Sequence, residues 1–528
     1  NDLIDGCTSY AEKFADVKDR IMPNIRNHDV CYDKYDLDEQ MLFERNDSDD
    51  DDGNNSNDEP TEFGMLNPDL LDLNNDASSN NTTAGPVASS SVDDESIPQS
   101  VFYEMCSQLN AGQQQLFNFL MKYAQQLQLN GRNDLPDPEP FYIFLTGGAG
   151  VGKSFLTKAI TEYFKRIWKS PGQNMDEHPS VLVTASTGKA AVHIDGMTLH
   201  SAFQLPVRDN GSFQNFKLGR DKKTHFQRKY VNLKALITDE ISMIDKRTFN
   251  DLNNNMRDVF DEDKILNIDF GGKSMLIIGD FLQLPAKTMI FENLTPTDAW
   301  YLFKMHELTE IVRQSSDPSF AELLNRVRIG EHTDSDVEAI HDMENTDVSS
   351  WPENNLTAYM TKRLVDKRNT DVMNMATNPI FSINAYDSNA DSHTGAFRYT
   401  LSDDLDPRLT GNMMKTLKIW IGARVMLTAN LDVEDKLCNG SEGTVKYIHI
   451  RTTTSSAKDG GTIYVLFDNE NAGNKRKLNS LPEAVRNCVP ITVKNQPFTY
   501  TPPGKKRSFD NNIKCERKQF PLVLSHAL

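Results

Sequence analysis

Phe141-Tyr-Ile-Phe-Leu-Thr-Gly147-Gly-Ala-Gly-Val-Gly152-Lys153-Ser154-Phe-Leu-Thr-Lys-Ala-Ile160 is the stretch that decides the fold. Its centre, Gly147–Ser154, matches the spacing G-x-x-x-x-G-K-[ST]. The apolar run Phe141–Thr146 leads into it as a strand, and Phe155–Ile167 leads away as a helix. A phosphate-cradling loop needs that strand–loop–helix setting. Gly147, Gly148, Ala149, Gly150, Val151 and Gly152 would wrap phosphates with backbone N–H groups at a helix N-terminus. Lys153 would reach the β- and γ-phosphates, and the Ser154 hydroxyl would hold Mg²⁺. ATP with Mg²⁺ is the expected ligand.

Further apolar runs follow the same plan. Ser180–Thr184, Leu233–Thr238 and Ser274–Ile278 each lead into a polar motif, with helix-like sequence between them. This alternation predicts an α/β parallel sheet with its chemistry at the carboxyl ends of the strands. Asp239 and Glu240 close the second of these runs. Asp239 would coordinate Mg²⁺, and Glu240 would polarise the attacking water as general base. An acidic pair at a strand end is also common as a helix cap, but its distance behind a P-loop favours chemistry. Gly279-Asp-Phe-Leu-Gln283-Leu-Pro285 follows the third run, and Gln283 is the candidate sensor of the γ-phosphate.

The chain has 528 residues, enough for several domains, with 38% hydrophobic residues and a mean hydropathy of −0.55. No apolar stretch approaches the roughly 20 residues that span a bilayer. The start at Asn1 shows no signal segment and no initiator Met, so a processed chain or a fragment is expected. The six cysteines are scattered without a C-x-x-C pair, which indicates neither a zinc site nor a disulfide framework and fits a reducing compartment. The net charge of −20 is unevenly spread: residues 1–100 hold 25 acidic and 6 basic side chains, against 51 and 50 in the remainder. The acidity belongs to an Asn/Ser-rich leader expected to be disordered. The near-neutral remainder permits a local basic channel for nucleic acid.

Three motifs in this order, with Thr184-Ala-Ser-Thr-Gly-Lys-Ala-Ala191 and Thr198-Leu-His-Ser-Ala-Phe203, resemble the Pif-one type DNA helicases of superfamily one. Leu109-Asn-Ala-Gly-Gln113 looks like the family's Q motif, whose Gln reads the adenine edge. Glu240-Ile-Ser-Met-Ile-Asp245 is similar to a stretch that sets this family apart from its relatives. Leu308-Thr-Glu-Ile-Val-Arg313-Gln314 looks like motif IV, whose Arg contacts the γ-phosphate from the second domain. Gly422–Asn430, with Asn439-Gly440 and Gly443, is similar to the segment leading into a β-barrel insertion. The resemblance covers about residues 105–528.

It implies a P-loop NTPase with two RecA-like parallel-sheet domains and a small β-barrel insertion behind a disordered acidic N-terminus. The expected layout is a leader over 1–98 and a first RecA-like domain over 99–292. A second, incomplete one over 293–445 resumes at 515–528, and the β insertion fills 446–514. The implied activity is 5′-to-3′ translocation on single-stranded DNA and unwinding of duplex or fork DNA by a monomeric motor, with no membrane partner. Family members serve repair, recombination and telomere maintenance in nucleus and mitochondrion. Related helicases also occur in rolling-circle transposon proteins. In the family, the segment resembling Arg517–Leu522 runs on into a His-Lys-Ser-Gln-Gly motif, and this sequence stops at Leu528 first. A truncated chain that binds Mg-ATP but hydrolyses it poorly is therefore expected. A protein-remodelling P-loop NTPase and a non-catalytic nucleotide-dependent DNA-binding protein are the competing readings.

Non-specific grip on single strands needs phosphate neutralisation and flat groups for stacking. Thr184, Ser186, Thr187 and Lys189 are candidates for phosphates, and His200 and Phe203 for stacking, with core packing an equal prospect for Phe203. Thr361 and Lys362 are their candidate counterparts in the second domain.

Overall fold

The computed structural model describes residues 97–527 except 171–172, 176, 207–217, 261–267, 284–285, 287, 293, 296, 313–316, 345–356, 390–409, 434, 478–481, 483–484 and 501–512. The acidic leader thus lies outside the described residues. What is described falls into two compact units: one runs to Ser186 and again from Thr198 to Ile340, the other takes Thr187–Met197 and everything from His341.

The first unit opens with helices α1 (Gln99–Ser107) and α2 (Ala111–Arg132). Asn110 starts α2 with a reciprocal cap: its side chain accepts from Gln113 N, and the Gln113 side chain accepts from Asn110 N. Then come β1 (Tyr142–Gly147), α3 (Lys153–Trp168), β2 (Val181–Ala185), the short α4 (Gly188–His193), which belongs to the second unit, and then β3 (Met197–Thr198), α5 (Leu199–Phe203) and α6 (Arg220–Lys229). After β4 (Ala235–Asp239), α7 (Lys246–Phe260) and β5 (Ser274–Ile278), strand β6 (Lys304–Leu308) and helices α8 (Pro318–Ile329) and α9 (Asp334–Glu344) complete the series. The strands form one sheet in the order β3-β2-β4-β5-β1-β6. The pairs β2–β4, β4–β5, β5–β1 and β1–β6 are all parallel.

Both faces of this sheet are covered, so its strands are apolar without alternation. Phe141, Ile143 and Leu145 pack with Leu116, Leu120, Leu156 and Ile160 of α2 and α3. On the other face Tyr142 and Phe144 meet an aromatic group of Phe270, Phe281, Trp300 and Phe303. The expected strands at 141–146, 180–184, 233–238 and 274–278 all appear within one or two residues. The first unit runs past the expected boundary at 292, because β6 hydrogen-bonds alongside β1 and joins the same sheet.

The second unit contains α10 (Lys362–Asn374), β7 (Phe381–Asn384), β8 (Tyr386–Asn389), β9 (Thr416–Ile419), β10 (Arg424–Leu427), β11 (Glu442–His449) and β12 (Thr454–Ser456). It ends with β13 (Thr462–Phe467), β14 (Val489–Thr492), β15 (Lys494–Tyr500), β16 (Ile513–Gln519) and β17 (Leu522–Leu524). An antiparallel sheet β14-β13-β11-β10-β17 buries Val425, Leu427, Val445, Ile463, Val465, Ile491 and Leu522 in one core. The β region is therefore wider than the expected 446–514. It recruits Arg424–Leu427 and Leu522–Leu524, whose inward side chains complete the same apolar layer. Of the parallel sheet expected for a second RecA-like domain, the described residues show one bridge, Thr357 to Ala527, and the short pair β12–β7. Asn369 of α10 secures that edge: its Oδ1 accepts from His526 N and Ala527 N at 3.1 and 3.0 Å.

Candidate nucleotide site

The P-loop occupies the turn from β1 into α3. Gly147 has φ +144° and a Cβ there would collide with the Leu308 carbonyl, while Gly152 has φ +81° and would strike the Gln113 amide. Only glycine tolerates both conditions. The loop is held by hydrogen bonds from two sides: Gln113 Nε2 donates to Val151 O at 3.0 Å, and Val312 N donates to Gly150 O at 2.9 Å. Gln113 is only 2% exposed, and its Oε1 is taken by Asn110 N. In this structure its amide braces the loop, where the resemblance implied an amide turned to the adenine edge.

Lys153 sits at the first turn of α3 and donates from Nζ to Gly147 O and Gly148 O at 2.8 and 2.9 Å. Burial lowers its pKa, while the charge of Asp280 acts in the opposite direction. Ser154 follows it on the same helical turn, partly exposed. Asp239 ends β4 and is 7% exposed, with Oδ1 accepting from Glu240 N at 2.8 Å. Glu240 has φ +53°, a left-handed conformation uncommon outside glycine and found preferentially at functional sites. Burial raises the pKa of Glu240 and the neighbouring Asp239 charge adds to this, with Lys153 opposing. A carboxylate raised in this way is a better proton acceptor. Lys153, Asp239, Glu240 and Asp280 thus share one electrostatic neighbourhood at the carboxyl ends of β1, β4 and β5.

Two members of this neighbourhood were not singled out from the sequence. Asp280, 2% exposed, receives a bidentate pair from Arg328 of α8: Nε to Oδ2 at 2.7 Å and Nη2 to Oδ1 at 2.9 Å. The same carboxylate accepts from Leu282 N at 3.1 Å and from Gln283 Nε2 at 3.3 Å. Gln283 is exposed at the end of this loop. The sequence signal for Asp280 was its place in the same strand-end motif; Arg328 is 48 residues away and carried none. Arg313 lies outside the described residues.

The candidates for DNA contact divide. Thr184 is fully buried, with Oγ1 bonded to Ile237 O at 3.1 Å and to Thr238 Oγ1 at 2.9 Å. Phe203 is fully buried beside Tyr230, their ring centroids 5.6 Å apart. Neither can meet a nucleic acid: the sheet and the aromatic core claim them. Ser186 has a buried hydroxyl and belongs to the first unit, as does His200, whose pKa burial lowers while the charge of Asp245 opposes. Thr187 caps α4 by accepting from Ala190 N at 3.2 Å. Lys189 is 73% exposed and lies 3.6 Å from Glu442 within the second unit. Thr361 and Lys362 are exposed at the start of α10. Among the described residues no group of three or more His, Cys, Asp or Glu forms a metal cage, and no helix is long and apolar enough to cross a membrane.

A family model described as "PIF1-like helicase" matches residues 120–338, and one described as "DNA helicase Pif1, 2B domain" matches 408–448. Curated relatives carry the name ATP-dependent DNA helicase PIF1. That of Xenopus laevis is 31% identical over 328 residues, covering 60% of this chain and 45% of the relative. The human protein is 30% identical over 314 residues, covering 57% and 43%, and that of Saccharomyces cerevisiae 29% over 316, covering 57% and 33%. Residues 120–338 thus resemble the PIF1-like helicases, and 408–448 their 2B domain. The chain spans less than half the length of these curated PIF1 relatives. Among solved structures, the Pif1 helicase of Candida albicans shares the fold with a TM-score of 0.51 at 23% identity, over 80% of this chain and 85% of that one. A Bacteroides Pif1 crystallised with ssDNA gives 0.50 at 22%, over 77% and 82%. The matched span 120–338 contains the P-loop, Asp239, Glu240 and the Asp280–Arg328 pair together.

Proposed function

We propose that this chain is an ATP-dependent DNA helicase that couples Mg-ATP hydrolysis to 5′-to-3′ movement along single-stranded DNA and unwinding of duplex or forked DNA. One observation carries the reading: Lys153, Asp239 and Glu240 converge on a P-loop at the carboxyl edge of a parallel sheet, in a span that resembles the PIF1-like helicases. Lys153 would exchange the neutral Gly147 and Gly148 carbonyls for the charged β- and γ-phosphates. The residues fit a Mg²⁺ ion: that ion is usually bound by one or two carboxylates together with substrate phosphates, so no all-protein cage is required. Ser154 and Asp239 would hold it, and bound there it would neutralise charge on the phosphates. Glu240 would take the proton of the attacking water, and Gln283 would orient that water.

Support for DNA as the partner comes from the relatives' names and from the ssDNA held by the Bacteroides protein. Lys189, Thr187, Thr361 and Lys362 are the remaining exposed or loop-borne candidates for the phosphates. Roles in repair, recombination and telomere maintenance, with work in nucleus or mitochondrion, follow from the same family reading. The test is ATP hydrolysis with and without single-stranded oligonucleotide, alongside strand separation on a 5′-tailed duplex. Stimulation by DNA that Lys153→Ala abolishes is the expected result. Hydrolysis indifferent to DNA but stimulated by unfolded protein would favour a remodelling ATPase.

A further inference from the structure

Arg328 is a partly buried cation in a place that a purely architectural ion pair does not require. It lies in the last turn of α8, its side chain 15% exposed, and aims two N–H groups at Asp280. The Nη1 amino group and one Nη2 hydrogen remain uncommitted among the described residues. The stem of the side chain runs against the P-loop: a Cβ built on Gly148 would stand 3.7 Å from Arg328 Cδ and 3.9 Å from Nε. The Gly148 carbonyl on that turn accepts from Lys153 Nζ at 2.9 Å. Lys153 is the residue that reaches the β- and γ-phosphates in such loops, and the Asp280 loop also carries Gln283. The guanidinium therefore stands at the terminal-phosphate end of the site, bound to a carboxylate that offers the same two-oxygen geometry as a phosphate.

Resting on the nucleotide-site reading above, we propose that Arg328 is a terminal-phosphate ligand supplied by the first unit itself and held by Asp280 until a triphosphate competes for it. Transfer of the guanidinium from carboxylate to phosphate frees Asp280 and with it the grip on Leu282 N and Gln283 Nε2. The third phosphate thereby sets both the loop that carries Gln283 and the end of α8. A diphosphate lacks the competing oxygens and leaves Arg328 on Asp280. The site would thus distinguish tri- from diphosphate through one exchange of partners.

The two halves of the pair then have opposite effects, whereas a merely architectural pair gives the same effect from either side. The full chain is titrated with fluorescent ADP and a fluorescent non-hydrolysable ATP analogue, in the presence of Mg²⁺. Arg328→Lys should keep ADP affinity within about twofold and lose roughly tenfold in preference for the triphosphate, the scale of one charge-assisted bidentate contact. Asp280→Asn should hold or increase that preference, since Arg328 is released. Retained ADP binding shows that each variant is folded. Equal losses for both nucleotides in both variants, or a triphosphate preference unchanged in Arg328→Lys, would overturn the proposal. Lys153→Ala separates the two levels: it should bind neither nucleotide, and if it binds both as the parent does, the P-loop reading itself fails.

Discussion

Glu240 combines two features that rarely coincide in a residue without a chemical task. Its backbone is held at positive φ and its carboxyl is pushed up by burial and by Asp239. Glu240→Gln keeps the shape and removes the proton acceptor. It should bind nucleotide as the parent does and lose roughly 10²- to 10⁴-fold in turnover, the range for a general base, measured by steady-state hydrolysis beside equilibrium binding. Phe203 makes the contrasting case. Fully buried between Tyr230 and Phe226, it should cost about 3–5 kcal/mol when replaced by Ala. Chemical denaturation gives that loss. DNA affinity per folded molecule should stay within about twofold, and a selective loss of DNA binding with unchanged stability would restore it as a stacking group.

At the scale of elements, the P-loop depends on α2 as much as on its own glycines. The Gln113 amide joins the cap of α2 to Val151 O, so the start of that helix and the phosphate loop are one hydrogen-bonded assembly. Gln113→Ala removes the partner of a buried carbonyl and half of the capping box. It should destabilise the first unit by about 1–3 kcal/mol and weaken nucleotide binding at the same time. Asn110→Ala, which leaves the Val151 contact in place, should cost about 1 kcal/mol with nucleotide affinity nearly unchanged. Differential scanning fluorimetry with and without ADP checks both. If the two variants weaken nucleotide binding equally, the brace on Val151 is not what matters.

At the scale of the whole molecule, the second unit carries a pH-sensitive seam. His526 stacks on Trp420 with centroids 5.5 Å apart, and its Nε2 accepts from Arg424 N at 3.1 Å, which requires a neutral ring. Burial first, then the charges of Arg424 and Arg368, bring its pKa down to about 4. The unfolded chain titrates near the ordinary histidine value of 6.5. Between these values the unfolded form binds the extra proton, so stability present above about 6.5 is lost progressively as pH falls toward the folded value. Thermal unfolding of the second unit should therefore weaken across that window. In His526→Gln, which keeps an acceptor and cannot titrate, the slope should be shallower. An unchanged slope would assign the acid sensitivity to other groups.

The phosphate loop, the four strands leading to motifs and the acidic pair were legible because each is local. Glycine spacing, apolar runs and a strand-end carboxylate depend on near neighbours in the chain, and Gly147–Ser154 with Asp239 and Glu240 sit where their spacing implied. Contacts across the fold were not legible. Arg328 reaches Asp280 from 48 residues away, β6 joins β1 from an expected different domain, and Leu522–Leu524 returns to complete a sheet begun at Arg424. Thr184 and Phe203 show the same limit from the other side, since polarity or an aromatic ring says nothing about which face of an element is covered. Sequence by itself carried the resemblance to the PIF1-like helicases and placed the candidate motifs at the strand ends. Tertiary packing alone decided what braces the phosphate loop, which candidates are buried and where the first sheet ends, because burial and pairing are properties of segments brought together only by the folded chain.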